Sequence, residues 1–269
     1  MIKGLWQKVH SELIKIRCTT VWKVVAILIA VVQVLLAFVS AKQNLAVGLN
    51  ATPETHPDLL ESMPPLAFMG FDVVLFSTIP LIVLGAIIGA AEYKNHCLRT
   101  TVLSLGKRKH AFLSKSVSLL LHAIILSFVS VLLTITVTHL ALGAEGLTPL
   151  VFTAEVWHYI LLSVTALTLL AVLSYTMGFL CRSAVFPLLF LIVQAYNVGD
   201  LLAEKFVFFR LFPVSLVNRL IASSESMLTS TPIQNILILI LWIVLIGIAA
   251  YLSFYKRDLR GEYRCVDLA

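Results

Sequence analysis

Apolar residues in this chain gather into long runs separated by short polar connections, at 24–40, 73–91, 116–142, 156–180, 184–198 and 233–255. A hydrocarbon core of about 30 Å takes about 20 apolar residues as a helix, so the runs predict six membrane spans. The fifth, 184–198, is short for a crossing. Residues 1–17 follow a different pattern. Ile2, Leu5, Trp6, Val9, Leu13 and Ile16 recur at intervals of three and four, while Lys3, Lys8, Ser11, Glu12 and Lys15 lie mostly on the other faces. That pattern predicts an amphipathic helix over 1–19, lying in the membrane interface with its basic side toward water. The stretch FVFFRLFPVSLVNRLI, 206–221, is strongly apolar but broken by Arg210, Pro213 and Arg219. It cannot span; within 200–232 it predicts re-entrant or interfacial helices. The expected fold is an all-α polytopic membrane protein with an N-terminal interfacial helix and one transmembrane domain over 1–269.

Composition removes the soluble alternatives. Of 269 residues, 59% are hydrophobic and only 13% charged, too little charge to cover a soluble domain. Charge placement then gives an orientation. The segments 1–23, 92–115 and 256–269, with Arg182, hold 16 of the 20 basic residues and 5 of the 14 acids. Cytoplasmic connections carry the excess of Lys and Arg, so both termini and the 92–115 loop are expected in the cytoplasm, an arrangement that requires an even number of spans. The rival reading is a signal peptide cleaved near VSA at 39–41, but the basic leader 1–23 is too long for it. The acidic 41–70 segment, with Pro53, Pro57, Pro64 and Pro65, reads as an outer lid, and Asn50-Ala51-Thr52 as a formal glycosylation sequon.

Several chemistries lack their residues. Gly106-Lys107 is followed by Arg108 and has no upstream glycine, so it is no phosphate-binding loop. H-E-x-x-H and G-x-S-x-G are missing. Cys18, Cys97, Cys181 and Cys265 fall at cytoplasmic positions without metal-ligand spacing. The basic residues follow topology and lack interleaved aromatics, which argues against nucleic acid. Neither a catalytic residue nor a metal site is expected.

Within the runs, Gly85 and Gly89 lie four apart on one helical face, which suits close helix packing inside the chain or a seam between two copies. Polar groups in hydrocarbon usually face protein or water. Gln33, near the middle of the first run, is a candidate for a substrate path, as are His122, Ser127, Ser130 and Thr134 on the third. Ser127, Ser130, Thr134 and Thr138 form a hydroxyl stripe that equally suits packing. His139 and His158 lie nearer the outer surface.

The 92–115 connection, EYKNHCLRTTVLSLGKRKHAFLSK, carries six basic residues and one acid. Its centre has helical potential until Gly106 breaks it. Glu92, Tyr93, Lys94, Leu98, Arg99, Thr100, Thr101 and Leu103 resemble the E-Y-R-x-G-T-L-R-T-T-L pattern that follows the second span in compact six-span bacterial permease subunits of type-2 ABC exporters. Gly106, Arg108, Leu113 and Lys115 follow loosely the P-x-R-x(4)-L-x-x-K continuation. Ser11, Glu12, Lys15, Arg17 and Trp22 are similar to the S-E-x-x-K-L-R-x-x-x-x-W start of these proteins. His96 and Cys97 depart from the usual Gly-Thr, and Gly106 stands where proline is common.

The resemblance implies a permease subunit in a bacterial plasma membrane, paired with an identical or related second permease subunit, surrounded by membrane lipid and seated on two copies of a separate ABC ATPase. This chain would bind no cofactor; ATP and Mg would sit on the partner ATPase. It implies a coupling helix over 97–105, with Arg99, Thr100, Thr101, Val102 and Leu103 as the contact and Glu92 at its approach. The expected cargo is hydrophobic or amphipathic: a drug, an antimicrobial peptide or a lipid-like molecule. The alternatives are an integral membrane haem protein or enzyme using the intramembrane histidines, and a structural scaffold.

Overall fold

A computed structural model describes residues 2–55, 63–91, 93, 108–148, 151–195, 207–222 and 231–256. Among these there are helices and turns and no strand. We number the helices α1 (Ile2–Cys18), α2 (Thr20–Val47), α3 (Leu66–Ala91), α4 (Arg108–Leu142), α5 (Ala154–Cys181), α6 (Val185–Val193), α7 (Pro213–Ala222) and α8 (Pro232–Lys256). Five of them, α2, α3, α4, α5 and α8, are long and apolar enough to cross a membrane. The chain is thus an all-helical protein of multi-pass membrane character.

The helix ends follow local chemistry. Thr19 is extended and its side chain accepts a hydrogen bond from the Trp22 amide, closing α1 and capping α2. Thr153 caps α5 through the Val156 amide. Arg182 ends α5 at φ 55°, the one non-glycine residue with positive φ among those described. Pro213 and Pro232 occupy first helical positions, where a missing N–H costs nothing.

The boundaries extend past the apolar runs. α2 continues through Lys42, Gln43 and Asn44 to Val47, and the Lys42 Nζ lies 5.8 Å from the Phe38 ring centre. α3 begins in a 3₁₀ turn at Leu66–Phe68, breaks at Gly70 (φ 93°), and becomes regular at Thr78. α4 has 35 residues and starts inside the basic cluster at Arg108. The predicted fifth span is described only in part. α6 covers Val185–Val193 and helical conformation continues through Ala195; 196–198 lie outside the described residues.

α5 is the hub, packed against α3, α4, α6, α7 and α8. In its most apolar window 72% of residues are buried, against 28% in α2 and 11% in α8, so α2 and α8 show most of their surface to lipid or a partner. The buried residues of α2, Val25, Ile29, Gln33, Ala37 and Ala41, recur at every fourth position, and from Leu28 onward the helix packs on α4. At 3.6 residues per turn such a stripe drifts about 40° per step. A π turn at Leu28–Gln33 is wider, so it winds less per residue and keeps the stripe on α4.

α5 and α8 run in the same direction, since Phe179 and Phe254, both near their C-terminal ends, are in contact. Residues 182–231 therefore return the chain along the bundle. α6 and α7 belong to this return. Gln194, just past α6, donates from Nε2 to the Phe190 carbonyl and accepts at Oε1 from the Val214 amide of α7. The Trp242 indole, ten residues into α8, donates to the Leu211 carbonyl at 3.0 Å. The turn ahead of α7 thus lies well below the start of α8, and the apolar stretch broken by Pro213 dips into the bundle. Val214, Leu216, Val217, Leu220 and Ile221 bury α7 there.

Candidate functional site

The end of the bundle that carries α1 brings together the most chemistry. The α1 helix forms as its periodicity predicts, with Val9 and Ile16 buried. Its docking face is not purely apolar, however. Glu12, expected on the polar side, is buried at 4% exposure. Its carboxylate meets the Lys115 ammonium of α4 at 3.4 Å, where both side chains are 5% exposed, and the Lys15 ammonium at 2.7 Å. One turn along, the Ser118 hydroxyl reaches the Val9 carbonyl at 3.1 Å and the Ser114 carbonyl at 2.7 Å. A buried ion pair is specific rather than strongly stabilising, but losing one partner strands a charge at about 3–5 kcal/mol. α1 and the start of α4 are thereby clamped as one body. Trp6 and Ile14, by contrast, are exposed.

Beside this clamp an aromatic nest closes the ends of α3, α4, α5 and α8. Phe179 of α5 lies at its centre, with ring centres 5.2 Å from Tyr93, 5.3 Å from Phe112 and 5.6 Å from Phe254. Phe112 also meets Tyr251 at 5.6 Å, and the Arg182 guanidinium lies 4.8 Å from the Tyr93 ring centre. Tyr93 and Phe112 flank the 94–107 connection, so the chain leaves and re-enters the bundle against one side chain. The expected contact residues Glu92, Arg99, Thr100, Thr101, Val102 and Leu103 lie outside the described residues, as does the expected coupling helix over 97–105.

The candidate path residues separate into groups. Gln33 is buried between α2 and α4: its Nε2 donates to Thr134 Oγ1 at 2.8 Å, and the Ser130 hydroxyl donates to its Oε1 at 2.9 Å. Thr134 and Thr138 also bond to carbonyls four residues back. Gln33, Ser130 and Thr134 therefore form one hydrogen-bonded group. Ser127 is buried on α4 with no hydrogen-bond partner for its hydroxyl among the described residues. His122 is apart from them, its Nδ1 2.9 Å from the Ser118 carbonyl and its ring edge-on to Trp22 at 6.2 Å. On α3, a Cβ at Gly85 would strike the Ala171 carbonyl, and one at Gly89 the Tyr175 carbonyl. Both glycines are covered by α5 within the chain, so the seam they form is internal.

Sequence reasoning missed Glu12 as a buried group, and it missed the aromatic nest. The S-E-x-x-K pattern held the first signal, since it places an acid on the helix face next to the apolar stripe. For the nest, the signal was a set of aromatics at the same end of successive runs. The chain matches no protein-family model and no curated protein.

Proposed function

We propose that this chain is the membrane-spanning permease subunit of an ATP-binding-cassette exporter, in a bacterial plasma membrane with both termini in the cytoplasm. In this reading residues 182–231 supply a sixth, discontinuous crossing through α6 and the dipping α7. α1 serves as the elbow helix, and two copies of the chain, or this chain and a related one, stand on two separate ATPase subunits. The 92–107 connection receives the ATPase through Arg99, Thr100, Thr101, Val102 and Leu103. Arg99 supplies a charged handle, while Val102 and Leu103 fill a shallow apolar pocket. The cargo is hydrophobic or amphipathic.

One observation carries the reading: the connection bearing the E-Y-K and L-R-T-T-V-L residues leaves and re-enters the bundle beside the docked α1. A soluble motor there would touch both elements at once, and the Glu12–Lys115 pair would pass its motion from α1 into α4. The experiment is to co-express the chain with ABC ATPase subunits from the same genome, purify any complex in lipid nanodiscs, and measure transport and ATP hydrolysis. Arg99→Glu or Leu103→Asp is expected to lower transport at least tenfold with the permease still in the membrane. Full transport in both variants, or no association with an ATPase, overturns the proposal.

A further inference from the structure

The aromatic nest has a geometry that a simple helix contact does not need. Phe179 is 1% exposed and receives Tyr93 from the end of α3 and Phe112 from the start of α4 on the same ring. Behind it, Tyr175 at 6.0 Å and Phe254 at 5.6 Å fix its position from α5 and α8. Its backbone is held as well, because Gly89 lets α3 lie directly on the Tyr175 carbonyl and the Phe179 amide. Arg182 then closes the far side of Tyr93. It adopts a left-handed conformation that a non-glycine residue rarely takes, and so brings its guanidinium over the ring. The α3 end is therefore gripped from two directions by residues three apart on α5.

We propose that Phe179 and Arg182 are positioning residues: a staple that ties both ends of the 94–107 connection to α5. Because α5 is also the packing partner of α6, α7 and α8, and Phe112 itself touches Tyr251 and Phe254 of α8, a displacement of that connection reaches the later helices through this one aromatic cluster. The inference deepens the proposed function by naming the residues through which force on the connection enters the bundle.

The test uses the full-length chain in lipid nanodiscs and two readouts. In Phe179→Leu, which keeps an apolar side chain of similar bulk but loses the ring contacts, amide hydrogen exchange in peptides covering 94–107 is expected to quicken about tenfold. Arg182→Gln, which removes only the cation–ring contact, is expected to quicken it about threefold. Phe152→Leu, at the opposite end, is expected to leave those peptides unchanged. Within the ATPase complex, Phe179→Leu is expected to lower transport per ATP hydrolysed at least fivefold, whereas an accessory packing role would leave that ratio intact. Unchanged exchange in both staple variants overturns the staple even where an ATPase binds. Faster exchange in a chain that binds no ATPase leaves the staple standing and overturns the transporter reading.

Discussion

Two helix seams in this molecule hold by opposite means. Between α3 and α5 the contact is made of absence: Gly85 and Gly89 on one side and Gly178 on the other let backbone lie on backbone. Between α2 and α4 the contact is made of polarity, with Gln33 bonded to Ser130 and Thr134 across the gap. In hydrocarbon there is no hydrophobic drive to bring helices together. Dispersion over a close fit and side-chain hydrogen bonds remain: the first seam relies chiefly on close fit, with one bond from the Ser174 hydroxyl to the Ile82 carbonyl, and the second sets the Gln33 bonds among small and apolar contacts. The first tolerates no added atom, while the second tolerates atoms but not the loss of a partner. The difference matches position, since α5 is the buried hub and α2 lies at the periphery.

The largest effect should come from the smallest addition. Gly89→Ala places a methyl group on the Tyr175 carbonyl, where only backbone movement can make room. We expect it to destabilise the chain by about 2–3 kcal/mol, read as a fall in the detergent-unfolding midpoint; an unchanged midpoint would mean the seam is looser than described. Next in size is Gln33→Leu. It keeps the bulk and removes both cross-helix bonds, for an expected loss of about 1 kcal/mol. A loss as large as that of Gly89→Ala would show that the polar seam holds more than α2. The smallest effect serves as the matched control. Gly247 on α8 has open space around its Cβ position, so Gly247→Ala should raise stability by about 0.5 kcal/mol through helix propensity alone. Opposite signs for the same chemical change at 89 and 247 are the sharpest form of the comparison.

Much of this architecture is legible from periodicity. Five of the apolar runs became long helices, and α1 formed over the residues whose spacing predicts it. The spacing of Gly85 and Gly89 also pointed to close packing, although it left open whether the neighbour was this chain or another. What pattern could not show is pairing between distant elements. Glu12 reads as a solvated charge until Lys115, far along the chain, arrives to bury it. Gln33 reads equally as a path residue or as glue until its partners are known. The helices run on past the apolar runs for a local reason: Lys42 and Gln43 have helix-favouring side chains that continue α2, and α4 begins at Arg108. The candidate ATPase contact rests on the sequence motif alone, whereas the residues that anchor its two ends emerged only from the fold.

The hydrogen bond from Trp242 to Leu211 has a consequence for biosynthesis. α7, at ten residues, is too short to cross a bilayer as an independent segment, and a carbonyl such as that of Leu211 needs a partner in hydrocarbon. Gln194 meets the α7 amide as soon as both have been translated, but the donor for the Leu211 carbonyl lies on α8 and leaves the ribosome later. The dipping segment therefore cannot complete its bonding in the order in which it is made. It has to await the next helix, so that α8 enters the membrane as the template on which the preceding piece is finished.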